Sequence, residues 1–197
     1  MEFNTRLPAV CGVVIALSGC GDANVTSRQS HSPLRNTGPA SANAPAVEPA
    51  AMLAAHNRWR AKVGVPPLVY SAALAGSAQA WAERLRDGNH CQMRHSHATG
   101  LGENLFWASA RKWSNGIREI QRIGAREVVD AWGSERADYN VATNRCKPGA
   151  VCGHYTQLVW RTTTAVGCGA ALCPDSREQV WVCHYTPPGN YVGRRPY

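Results

Sequence analysis

The sequence predicts an α+β fold, one disulfide-closed domain carried behind an export leader. Three observations lead there. Helical patterns fill the first half of the folded part and short strand-like segments follow, an order that argues against alternating βαβ units. Eight Cys in 197 residues point to an oxidising compartment. The composition, 44% apolar with seven Trp and 18 Gly that show no period, excludes fibrous, collagenous and fully disordered chains. The formal charge is +8, and Arg supplies nearly all of the positive charge, since Lys occurs only at Lys62, Lys112 and Lys147.

Residues 1–19 read as a leader: Arg6, an apolar run from Leu7 to Leu17, then small residues. The run is too short to cross a bilayer, which takes about 20 residues. Leu17-Ser18-Gly19-Cys20 resembles the bacterial lipobox. That resemblance implies lipidation of Cys20, loss of Cys11 with the leader, and a place in the bacterial cell envelope, periplasm or outer membrane. Without lipobox processing the protein would be secreted. Residues 20–50 are dominated by Ser, Asn, Ala, Pro and Gly, too poor in apolar side chains to offset their ordering entropy, and read as a linker with His31 solvated inside it. Residues 51–197 form the domain, and no later segment is apolar enough to span a membrane.

Met52 to Lys62 reads as a helix that stops before Gly64 and Pro66-Pro67. Ser71 caps a second helix through Asp87, with Leu74, Ala78, Trp81 and Leu85 on one stripe and Gly88 closing it. Residues 89–115 read as loop with short extended pieces. A third helix is expected from about 117 to 136, with Arg118, Arg122 and Arg126 on a solvated face and Gly124, Val128, Ala131 and Glu135 opposite. A carboxylate on that inward face needs a partner. Residues 137–153 read as loop. Segments 154–160, 164–172 and 178–186 have strand composition, the first equally compatible with a helical turn, and Pro174-Asp175 suggests a hairpin between the other two.

Without Cys11 and Cys20, six Cys remain: 91, 146, 152, 168, 173 and 183. They read as three disulfides with 15 possible pairings, and no CxxC pair supports a zinc ribbon.

Several blocks together resemble the CAP superfamily of cysteine-rich secretory proteins, antigen 5 and plant pathogenesis-related 1 proteins. His56-Asn57 with Arg60 and Pro67-Leu68 is similar to its opening, and Gly102-Glu103-Asn104-Leu105 to its central block. Trp132 with Glu135, then Tyr139-Asn140 and Ala142-Thr143-Asn144 before Cys146, is similar to the plant branch. Gly153 to Trp160 and Val182 to Tyr191 resemble the two family signatures, with His184 where Asn is usual. The resemblance implies an α-β-α sandwich with a central antiparallel sheet, and the pairing Cys91–Cys173, Cys146–Cys152 and Cys168–Cys183.

It also implies a cleft of two His and two Glu, here His95, Glu103, Glu135 and His154. Neutral imidazoles hold a divalent metal, Zn²⁺ above all, while carboxylates ligate it or orient a bound water. His97 competes with His95 for the first position, and Ser96 after His95 favours His95. His56 reads as tying down the first helix, Tyr155 and Gln157 as cleft-lining, and His90 and His184 as packing or surface residues. Trp107 and Trp113, near Arg111 and Lys112, are the Trp residues with a reading other than core.

Two functions follow from the resemblance. The first is a monomeric, non-enzymatic module that takes a small hydrophobic or anionic ligand, with acidic envelope polymers or lipid head groups as neighbours of its basic surface. The second is a metal-assisted peptide or glycan hydrolase with Glu103 or Glu135 as base, although the chain has neither HExxH nor GxSxG. Export argues against nucleic acid as a partner.

Overall fold

In a computed structural model, residues 45–197 are described. Cys11, Cys20, His31, the leader and most of the expected linker lie outside the described residues.

Helix α1 spans Pro49–Ala61 and β1 is Val69–Tyr70. Helix α2 spans Ala72–Asn89, and the Ser71 hydroxyl accepts the Leu74 amide as its N-cap. Then come β2 (Gly102–Ala108), β3 (Arg111–Lys112), β4 (Arg118–Glu119) and α3 (Ala125–Ser134), which runs into a 3-10 turn over Glu135–Ala137. Next are β5 (Tyr139–Asn140), β6 (Arg145–Cys146), α4 (Gly153–Leu158), β7 (Ala165–Cys173) and β8 (Glu178–Thr186).

The central sheet has the order β1-β7-β8-β2. It is antiparallel except for β1, which runs parallel to β7, so the sheet is mixed. Alternation along β8 sorts side chains into two cores. Trp181, Cys183 and Tyr185 join Val166 and Cys168 against Met52 of α1, Val128 and Trp132 of α3, and Tyr155 and Leu158 of α4. Val180 and Val182 pack with Leu105 and Ala171 against Ala78, Ala82 and Leu85 of α2. The result is the sandwich, with α2 on one side and α1, α3 and α4 on the other.

Glycine sets how closely α2 approaches. A Cβ on Gly167 would lie 2.2 Å from the Ala75 nitrogen, and one on Gly169 would lie 2.4 Å from the Gln79 Cα. The helix backbone therefore rests directly on β7, and the Gln79 amide donates to Ala170 O while its oxygen accepts the Ala170 amide.

The structure refines or corrects several expectations. Residues 89–115 are loop with extended pieces, as expected, but Gly102–Ala108 is a full strand of the central sheet paired along its length with β8. The third helix starts at Ala125 rather than near 117. Arg118 lies in a small hairpin, and residue 121 is tied to the sheet edge by Gln121 Nε2 donating to Ser109 O and Gln179 Nε2 donating to Gln121 O. Arg118, Arg122 and Arg126 therefore share no helix face. Segment 154–160, which the sequence left open between strand and helical turn, is helix α4 and a turn. Helix α2 also passes Gly88 and closes on His90, at φ 48°.

Cystines join Cys91 to Cys173, Cys146 to Cys152 and Cys168 to Cys183. Among the described residues no helix is long and apolar enough to cross a membrane.

Candidate functional site

Glu103 sits near the start of edge strand β2, directly opposite His184 on β8. Its register turns it to the α2 side, where its Oε2 accepts the Nε2–H of His184 at 2.9 Å. The other oxygen pairs with His95 Nδ1 at 2.6 Å, and the Ser96 amide donates to both oxygens. Burial alone would raise this carboxyl, but the bonds from His184, His95 and Ser96 outweigh it and hold Glu103 well below the usual carboxylate range. The same contact raises His95 above its ordinary value.

His184 is fully buried, and its Nδ1 lies 2.8 Å from the Ser77 hydroxyl of α2. It is thus the back wall of the Glu103 site, a role the sequence reading did not give it. The available signal was a His in the middle of an apolar strand, on the same side as Val180 and Val182.

The second pair is His154 with Glu135. Glu135 ends α3, and its Oε2 accepts the amides of His154 and Tyr155 at 3.0 and 3.1 Å, capping α4 from outside. Its Oε1 meets His154 Nδ1 at 2.6 Å. The imidazole lies parallel to Trp132, 6.4 Å between centroids. The anomaly in the sequence is resolved: Glu135 points not into an apolar helix interface but to a helix start and an imidazole.

Asn104, next to Glu103 on β2, faces the opposite side. Its Nδ2 donates to His154 O at 3.0 Å and to the Tyr185 hydroxyl at 3.2 Å. The Tyr185 hydroxyl lies 2.9 Å from His56 Nε2, and His56 Nδ1 lies 2.8 Å from Met52 O. A carbonyl can only accept, so Nδ1 of His56 carries the proton and Nε2 accepts from Tyr185. Burial pushes His56 down to about 4.

The four expected cleft residues therefore form two pairs, His95 with Glu103 and His154 with Glu135. Among the described residues no three of them have ligand atoms within 4.8 Å of one another; the one group that does is His56, Cys168 and Cys183. That group has the spacing of a metal site. Its sulfurs, however, are joined in a cystine and offer no thiolate while oxidised.

The donor chemistry of the two His–Glu pairs does suit a metal. A carboxylate accepts the Nδ1 proton of each imidazole, so Nε2 holds the lone pair in the neutral form, and Nε2 of neither has a hydrogen-bond partner among the described residues. His97 is exposed, with φ 55°, and is not among the hydrogen-bond partners of Glu103, which are His95, Ser96 and His184. Tyr155 and Gln157 are buried rather than cleft-lining: the Tyr155 hydroxyl meets that of Tyr197, and Gln157 Oε1 accepts the Gly189 amide. A pocket of about 330 Å³ opens beside α4, lined by Tyr139, Gly153, Thr156, Trp160, Tyr191 and Arg194 among others.

Residues 53–185, which carry both pairs and all three cystines, match the CAP family, described as the cysteine-rich secretory protein family. The chain belongs to this family. Among the CAP proteins most similar to it is the pathogenesis-related protein PR-1 of Medicago truncatula, 42% identical over 141 residues, covering 72% of this chain and 74% of the relative. The structure of venom allergen-like protein 4 from Schistosoma mansoni is similar with a TM-score of 0.54 at 26% identity, covering 75% of this chain and 92% of that one. The structure of NaASP2 with Zn²⁺ gives a TM-score of 0.58 at 24% identity over 81% and 90% of the chains, a likeness of fold. The CAP domain here is PR-1-like, and its three cystines fit an extracellular protein.

Proposed function

We propose that this CAP domain is a non-catalytic binding module of the bacterial envelope, tethered through a lipid on Cys20, that holds a divalent cation through the Nε2 atoms of His95 and His154. The carrying observation is that each imidazole has its Nδ1 bound to a carboxylate and its Nε2 unbonded, the orientation that ligating histidines take. When bound, the ion would supply a positive centre for an anionic ligand group. The pocket beside α4, of a size that takes small molecules, would receive the rest of a hydrophobic or anionic ligand, with Arg194 on its wall. The carboxylates support binding over hydrolysis. Glu103 is held ionised by its donors and is a poor proton acceptor near neutral pH, and Glu135 is occupied by two amides and an imidazole.

The test is zinc stoichiometry. Full-length protein equilibrated with Zn²⁺ and freed of excess retains one equivalent, and the variant with His95→Ala and His154→Ala loses it. Equal zinc in both proteins removes the two imidazoles from the reading.

A further inference from the structure

We propose that the β3–β4 hairpin is a docking element for an anionic phospholipid surface. The hairpin follows the end of β2 opposite to Glu103, and the function proposed above does not use it. Its loop is Ser114-Asn115-Gly116. The Gly116 amide donates to Trp113 O, Gly116 sits at φ 84°, and the Trp113 amide donates to Ile117 O. This is the three-residue turn with a glycine bulge, a stiff loop that holds Trp113 and Ile117 across from each other. Both are about half exposed, 49% and 52%.

Directly behind the apolar pair, Lys112 faces Arg118 in register. Like charges opposite each other destabilise a two-stranded ribbon, so the pair opposes the free hairpin and favours one that meets anions. One residue further back is Arg111, its guanidinium 5.8 Å from the Trp113 ring centroid, opposite Glu119. Arg118 also lines a depression of about 370 Å³ with Arg122 and Arg177, together with Glu119 and Ile120. Among the described residues none of Arg111, Lys112, Arg118, Arg122 and Arg177 forms an ion pair.

The order from the tip inward is an aromatic-aliphatic pair, then a cation pair, then an arginine-lined hollow. Trp prefers the boundary of a bilayer, and Lys and Arg set at headgroup depth are attracted to anionic lipid. A soluble polyanion would be served by the cations alone and would leave Trp113 and Ile117 in water. The apolar tip is what selects a membrane.

The test uses full-length chains that all carry Cys20→Ser, so that differences among them arise in the folded domain. Partition is measured into vesicles of phosphatidylcholine with phosphatidylglycerol and of phosphatidylcholine alone. Binding to the anionic vesicles should fall about 30-fold when Lys112→Gln and Arg118→Gln are combined, from about fivefold per cation. Brominated lipid should quench part of the Trp fluorescence, and that part should disappear in Trp113→Phe. These side chains are exposed and the facing cations repel, so the urea midpoint of each variant should not fall below that of the parent, which rules out misfolding. Equal partition of the parent and the double variant overturns the proposal. So does binding of soluble polyglutamate as tight as vesicle binding, with no bromine quenching that depends on Trp113.

Discussion

His56 and Arg60, one turn apart on α1, show how single side chains connect the domain. His56 is neutral in the fold because burial pushes it down to about 4 from an ordinary 6.5. The unfolded chain therefore takes up the proton first, so stability is complete above about pH 6.5 and is lost as pH falls toward 4. At full slope the loss is about 1.4 kcal/mol per pH unit. Urea midpoints between pH 6.5 and about 4.5 should decline steadily in the parent and stay nearly level in His56→Gln; parallel slopes would reject His56 as the source. Arg60 is a buried cation whose guanidinium donates to four carbonyls, Pro66 O, Leu158 O, Trp160 O and Thr163 O. It stitches α1 to the turn that follows α4. Lysine keeps the charge but cannot reach this fork of acceptors, so Arg60→Lys should cost about 3 kcal/mol in chemical denaturation. A loss below about 1 kcal/mol would mean that water replaces the missing bonds.

At the scale of elements, the contact of α2 with β7 is backbone against backbone. Gly169→Ala places a methyl group against the Gln79 backbone, which no side-chain rotation can relieve. The expected cost is about 1–3 kcal/mol, read from the urea midpoint, whereas Gly88→Ala, with open space around its Cβ position, should be neutral or stabilising. Helices α1 and α2 and strands β7 and β8 were legible because their apolar periods agree with the layers that bury them. Strand β2 was not. Its N-terminal neighbours, His95 to Leu101, carry the polar and Gly-rich signature of a loop, and only tertiary pairing with β8 shows that Gly102–Ala108 is extended. The misplaced start of α3 has a related cause: Ile117, Ile120 and Ile123 repeat every three residues like a helix, while the Asn115-Gly116 turn and the Gln121 and Gln179 side chains hold the segment outside any helix. His184 was legible only as a cystine neighbour, because its partner Glu103 is 81 residues away.

For the whole molecule, the cystines differ in the length of chain they close: 82 residues for Cys91–Cys173, 15 for Cys168–Cys183 and six for Cys146–Cys152. Loop-closure entropy alone ranks their contributions at about 4.5, 3 and 2 kcal/mol. Paired Cys→Ser variants should fall in that order of unfolding free energy, and a larger loss for Cys146–Cys152 than for Cys91–Cys173 would show that local strain dominates. Cys168 and Cys183 are also direct partners in the β7–β8 register, on the side that faces α1, α3 and α4. A slip of one residue would carry Cys183 to the α2 side, out of reach of Cys168. A slip of two would separate them to the diagonal distance of about 7–8 Å, beyond what a disulfide spans. Oxidation of this pair is therefore an error check on the fold: the bond closes only on a hairpin in which every β8 side chain already faces its proper core.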